Sequence, residues 1–201
     1  MNKTEKVYDF VNHKIRLLQN DSPWSKSTLA KLRRGAGKDL AEAPDVWEVV
    51  LNGLYDEPQD NKSPSVLVTE VELAVYTALT LYAIHQQGKG HADGVSKNNG
   101  GLSFGSAIRL LISPDKTNEG SIKRRFDTII TSSDLSELSH HGRGIIQLMR
   151  KSEVPVKIDY PQFAKDLYRY QFPEGRNDVR LKWGRDFYRQ TREEKIEEKE
   201  C

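Results

Sequence analysis

The stretch 66–87 decides the fold class. Its apolar positions do not alternate: Val71, Val75, Ala78, Leu79 and Tyr82 share one side of a 3.6-residue helix, and Leu73, Tyr76, Thr80 and Ala83 lie nearer the other. A helix that is apolar most of the way round cannot sit on a surface, so it belongs in the middle of a bundle. The neighbouring segments carry the one-sided stripes that would pack around it. Val7, Phe10, Val11, Lys14 and Leu18 form the first, with the Lys14 stem lying over its edge.

Punctuation along the chain supports the same fold class. Ser22-Pro23 precedes a short helix, Ser25 to Arg34, that stops at Gly35 and Gly37. Pro44 can open a helix whose Trp47, Val50, Leu51 and Leu54 share a face. Phe104 to Ile112 is short. Ser121 can cap Ile122 to Ile130, Ser133 or Asp134 a helix running to Lys151, and Asp178 the last one, after an amphipathic Tyr160 to Tyr170. The segments 56–65 and 88–101 read as loops, and Val154-Pro155-Val156-Lys157-Ile158 is a short run broken by proline. The expectation is an all-α fold of about eight helices over residues 1–190, followed by a charged tail, 191–201. A division into two small packed bundles, 1–87 and 102–190, stays open.

Composition narrows the function classes. With 36% apolar and 30% charged residues, the core is lean and the surface heavily charged. No stretch approaches the roughly 18 to 20 apolar residues of a membrane span. Met1 to Lys6 has no apolar run resembling a secretory signal, so a cytoplasmic location is expected. Cys201 is the only cysteine, which excludes a disulfide framework and a cysteine-rich zinc site. The segment 191–201 holds three basic and five acidic residues, and the rest of the chain, with 28 basic and 24 acidic, carries +4. That balance permits a polyanionic partner without demanding one.

Signals for catalysis are weak. Gly35-Ala36-Gly37-Lys38 falls short of a phosphate-binding P-loop, because Leu32 holds the first glycine's place and Asp39 follows the lysine. A helix stop and tight turn fit better. His140-His141 would point about 100° apart on a helix and so do not converge on one metal. No Gly-x-Ser-x-Gly and no HExxH is present. Neither a catalytic residue, a metal site nor a cofactor is expected, and a capping or surface role suits the histidines.

What remains is a set of basic clusters. Arg33-Arg34 ends a helix, and Lys123-Arg124-Arg125 opens another. Lys182, Arg185, Arg189 and Arg192 recur at intervals of three and four, while Val179, Trp183 and Phe187 occupy a different face. Planar guanidiniums suit phosphates, since each can donate two parallel hydrogen bonds. The alternative is a solvated surface paired with Asp178, Asp186, Glu193 and Glu194. Trp24, Trp47, Trp183, Tyr168 and Tyr170 read as core side chains rather than base-stacking platforms.

Six motifs in one order carry a resemblance. Leu29-Ala30-Lys31-Leu32-Arg33-Arg34-Gly35, Pro44-Asp45-Val46-Trp47, Gly101-Leu102-Ser103-Phe104-Gly105 with Ile108-Arg109-Leu110-Leu111, Lys123-Arg124-Arg125-Phe126, His140-His141-Gly142-Arg143, and Leu181-Lys182-Trp183-Gly184-Arg185-Asp186-Phe187-Tyr188 resemble the CasB family. That family is the small subunit of Cascade, the type I-E CRISPR surveillance complex. The resemblance implies an all-helical, non-enzymatic subunit present as a pair. It would pack against the guide-RNA-bearing backbone and the large subunit, and hold the target and displaced DNA strands of the R-loop. It carries nucleic-acid contact onto Arg33, Arg34, Arg109, Lys123, Arg124, Arg125, Arg143, Lys182 and Arg185. Ser106 stands where that family often has a basic residue. A helical module that binds only proteins is the rival reading.

Overall fold

Helix starts in this chain are set by short polar side chains that accept from otherwise free amides. Ser22 accepts from the Ser25 amide with Pro23 in the first turn, Asp134 from Glu137 and Asp159 from Gln162. Thr69 and Glu72 cap each other's backbone amides reciprocally. The computed structural model describes residues 2–55, 68–88 and 101–189. The greater part of the two polar loops expected from the sequence, and the tail 191–201, lie outside those residues.

Among the described residues there are nine α-helices. They are α1 (Lys3–Leu18), α2 (Pro23–Gly35), α3 (Trp47–Leu51), α4 (Glu70–His85), α5 (Phe104–Arg109), α6 (Glu119–Thr131), α7 (Leu135–Lys151), α8 (Tyr160–Tyr170) and α9 (Pro173–Tyr188). The all-α expectation holds; the one β-type contact among the described residues is an isolated parallel bridge between Leu102 and Ile158. None of these helices is long and apolar enough to cross a membrane.

The all-round apolar helix is central, as its sequence requires. Every residue of α4 from Ala74 to His85 is buried. It packs against α1, α2, α3, α7 and α8, while α8 also lies along α1 and α9. The second focus of packing is aromatic: Phe104, Phe163 and Trp183 gather with ring centroids 4.5 to 5.8 Å apart. There α5 comes so close to α9 that a Cβ on Gly105 would collide with the Trp183 carbonyl.

Several local expectations need correction. Ser121 is not a cap; α6 begins at Glu119 because Asn118 is tied back into the preceding loop, donating to the Leu111 carbonyl at 2.8 Å and accepting from the Ser113 amide at 2.9 Å. Asp178 is not a cap either. Pro173, whose missing N–H costs nothing in a first helical turn, starts α9 earlier, and Asp178 pairs with Arg169 at 2.5 Å. The helix expected from Pro44 opens as a 3-10 turn, Pro44–Val46, and is α-helical only over the short α3; a separate 3-10 turn, Leu40–Glu42, precedes it. Phe104 to Ile112 is helical only to Arg109.

Trp183, Tyr168 and Tyr170 are core, but Trp24 and Trp47 are each 42% exposed. The Trp47 indole N–H donates to the Leu40 carbonyl at 2.8 Å, which fixes the ring at the surface. His85, read from sequence as a capping or surface residue, is fully buried with Nδ1 3.1 Å from the Tyr160 hydroxyl.

Candidate nucleic-acid interface

The turn that ends α2 is the anchor of the basic surface. Gly37 sits at φ +86°, a conformation that favours glycine, and the chain reverses there. From beneath, the Tyr76 hydroxyl of α4 donates to the Gly35 carbonyl and lies 3.2 Å from the Lys38 carbonyl. A rigid turn results, with Arg33 and Arg34 just before it. Arg34 is exposed, and its one ion pair among the described residues is long, 3.9 Å to an equally exposed Asp45. Such a pair contributes little in water and can be exchanged for a phosphate.

Arg143 reaches the same turn from α7. Its Nη1 lies 3.4 Å from the Ala36 carbonyl, 107 residues away in sequence. On the next residue of α7, a Cβ on Gly144 would stand 3.8 Å from Nη1 of Arg125, so the Arg125 guanidinium crosses from α6 to α7 at that point. Arg34, Arg143 and Arg125 therefore follow one another across the α2 turn, α7 and α6. No ion pair among the described residues involves Arg125 or Arg143.

Helical geometry separates the three residues of the Lys123-Arg124-Arg125 run. With Ile122, Phe126 and Ile129 buried, successive 100° steps send Lys123 and Arg125 to opposite flanks and leave Arg124 pointing outward. Lys123 Nζ accordingly lies over the Tyr188 ring of α9, 5.6 Å from its centroid.

Three of the nine residues sit elsewhere. Arg109 Nη1 lies 3.2 Å from the Phe187 carbonyl, tying α5 to the last turn of α9. Lys182 Nζ is 2.9 and 2.8 Å from the two oxygens of Asp166, a carboxylate only 2% exposed. Asp166 also accepts from the Trp183 indole and the Gln162 amide, each at 2.9 Å. Arg185, on the outer face of α9, is exposed. It edges a shallow hollow of about 550 Å³ with Leu181, Gly184 and Tyr188. Arg192 lies outside the described residues.

Arg33 differs from its neighbour Arg34. It is half-buried, and its guanidinium pKa is pulled below the ordinary value first by burial and then by the adjacent Arg34 charge. His140 and His141 have ring planes 80° apart, with His141 Nε2 3.9 Å from Glu137. No cluster of three or more His, Cys, Asp or Glu among the described residues is arranged to hold a metal.

Sequence reasoning missed the exposure of Trp47 and the Asp166 hub. The Trp47 signal was ambiguous, since its spacing to Val50, Leu51 and Leu54 is that of a buried face. Asp166 had no local signal, because its lysine and indole partners lie 16 and 17 residues away.

The family model described as CRISPR-associated protein Cse2 matches residues 28–188. Among solved structures, CasB from Thermobifida fusca shares 31% sequence identity with a TM-score of 0.72, covering 92% of this chain and 98% of that one. CasB from Thermus thermophilus, at 23% identity and a TM-score of 0.62 over 94% and 99% of the two chains, is alike in fold. No curated protein matches the chain.

Proposed function

This chain belongs to the family of CRISPR-associated protein Cse2, and from that premise we propose that it is a non-catalytic small subunit of a type I-E CRISPR surveillance complex, gripping nucleic-acid backbone to stabilise the R-loop. The observation that carries the reading is the succession Arg34, Arg143 and Arg125 across three helices, with only the long Arg34–Asp45 contact, among the described residues, between them and a carboxylate. Exchange of a DNA duplex for a guide-target duplex is close to balanced, so contacts to phosphates alone can tip it. Such contacts position a strand and need not read bases. Lys123 and Arg124 extend this grip along α6, and Arg185 extends it along α9. We assign Arg109 and Lys182 to holding α9 in place, because their donors are spent on the Phe187 carbonyl and Asp166.

The partners of this reading are the guide-RNA-bearing backbone, the large subunit, a second copy of the chain, and the target and displaced DNA strands, in the cytoplasm. A protein-only assembly role has one observation in its favour: Leu181 and Tyr188, 54% and 52% exposed, line the α9 hollow.

The test is R-loop lifetime in a reconstituted complex, with wild type or an Arg34→Gln/Arg125→Gln/Arg143→Gln variant. The variant is expected to incorporate, shorten the lifetime, and lower the salt slope of DNA binding by about 2 to 3, at roughly 0.7 to 0.9 per lost phosphate contact. An unchanged lifetime with the variant incorporated refutes the grip and leaves the protein-only role.

A further inference from the structure

Where α1 ends, α2 passes and α4 ends, a half-open cavity of about 220 Å³ is walled by Leu18, Leu29 and Tyr82. Its polar lining consists mainly of donors. Lys26 and Arg33, seven residues apart on α2, share the face that lines it with Leu29. Lys26 is held by Asp21 at 2.7 Å on the rim, so its charge is compensated. Arg33 is not compensated: no ion pair among the described residues involves it, although it is half-buried.

Gln86 completes the set. Its Nε2 is buried and has no hydrogen-bond partner among the described residues. A buried donor left unmade is costly, and a small rotation of the amide toward the cavity would relieve it if an acceptor arrived. At the end of α4 the Leu81 carbonyl faces the Tyr160 hydroxyl at 3.4 Å, and those of Tyr82 and Ile84 accept from the Gln86 backbone N–H. A further guanidinium stands nearby, since Arg150 donates to Gln87 Oε1 at 2.5 Å.

We propose that this cavity seats a phosphate monoester, with Arg33 and Gln86 as its donors. A monoester is favoured over a phosphate within a strand because a hollow of about 220 Å³ suits a terminal group better than a continuous backbone. A monoester also carries about −1.5 to −2 charges at neutral pH, which better matches an uncompensated guanidinium in a half-buried setting. The shared chemistry has two sources: the phosphorylated end of a nucleic-acid strand, or free phosphate and mononucleotide.

The full-length chain at low salt would be titrated with a fluorescent oligothymidylate bearing either a 5′-phosphate or a 5′-hydroxyl. Competition by inorganic phosphate and by thymidine monophosphate forms a second arm, and phosphorus NMR line broadening of inorganic phosphate a third. Wild type is expected to prefer the 5′-phosphate by about fivefold or more. Gln86→Glu, which turns an acceptor into the cavity, should abolish that preference and leave binding of the 5′-hydroxyl strand unchanged. Arg33→Gln should abolish it as well. Broadening of phosphate with no end preference assigns the cavity to free phosphate. Equal affinities for the two strands, with no broadening of phosphate, overturn the inference while the backbone grip stands. Absence of binding to either strand refutes the grip, and the phosphate arm still decides the cavity.

Discussion

Lys182→Met separates the two uses of positive charge in this molecule. Asp166 is 2% exposed and accepts from three donors: the Lys182 ammonium, the Trp183 indole and the Gln162 amide, at 2.8 to 2.9 Å. Removing the lysine leaves a buried carboxylate with two neutral donors and no counter-charge. Breaking a buried pair from one side typically costs about 3 to 5 kcal/mol. The Lys182 side chain is itself 36% exposed, so the pair is not fully dry and the lower end applies, about 3 kcal/mol. For a chain of this size each kcal/mol moves Tm by about 2 to 4 °C, which predicts a fall of about 6 to 12 °C. Asp166→Asn added to Lys182→Met removes the stranded charge and keeps an acceptor for Trp183, so the double variant should recover about half of the loss. Urea and thermal unfolding followed by far-ultraviolet circular dichroism read both numbers. A Tm within about 2 °C of wild type, together with a salt slope of DNA binding lowered by about one, would refute the reasoning and make Lys182 a phosphate contact.

Two glycines of the family-like motifs should behave in opposite ways. Gly105→Ala drives a Cβ into the Trp183 carbonyl, backbone against backbone, and is expected to cost about 3 kcal/mol in urea unfolding. Gly184→Ala meets nothing within 4 Å inside α9 and should gain about 0.5 to 1 kcal/mol. At the start of α7, the Glu137 carboxylate accepts from the Ser133 amide at 2.7 Å and the Ser133 hydroxyl at 2.9 Å, which holds its pKa below the ordinary glutamate value. A depressed folded value means that this contact's stabilisation is complete above the ordinary glutamate range and is lost as pH falls through the folded value. Glu137→Gln should therefore flatten the acid limb of stability between about pH 5 and pH 3. An NMR titration placing the wild-type midpoint at or above the ordinary value would sink that expectation.

The architecture was legible because burial imposes a period on the sequence. Two apolar faces on 66–87 can only mean a central helix, and that is where α4 lies, buried without a break from Ala74 to His85. One-sided stripes such as Val7, Phe10, Val11 and Leu18 likewise mark what packs against it. Boundaries were less legible, since a cap competes with other uses of the same side chain. Asn118 is spent on Leu111 and Ser113 rather than on a helix amide, and the phase of α9 is set by Pro173 instead of Asp178. Trp47 misled because it stands at the first residue of the short α3, where its indole turns back to donate to the Leu40 carbonyl instead of packing with Val50.

Spacing gathered the basic residues without sorting them, and the reason lies in range. Periodicity records which side chains share a face; it does not record what the face meets. Lys182 and Arg185 stand three residues apart in one stripe, yet Lys182 reaches Asp166 on α8 while Arg185 faces solvent. Arg33 and Arg34 are adjacent, and the 100° step between them puts one against a half-open cavity and the other on an open turn. Conversely, Arg143 lies far from Arg34 in sequence yet reaches the turn that Arg34 precedes, because Tyr76 of the central helix holds that turn where α7 can reach it. A cation whose partner is a buried carboxylate is a structural part, and replacing it costs stability. An exposed cation with no buried carboxylate beside it keeps its charge for a ligand, and replacing it costs binding. That difference is why unfolding and salt dependence, measured on the same variants, sort this surface where spacing does not.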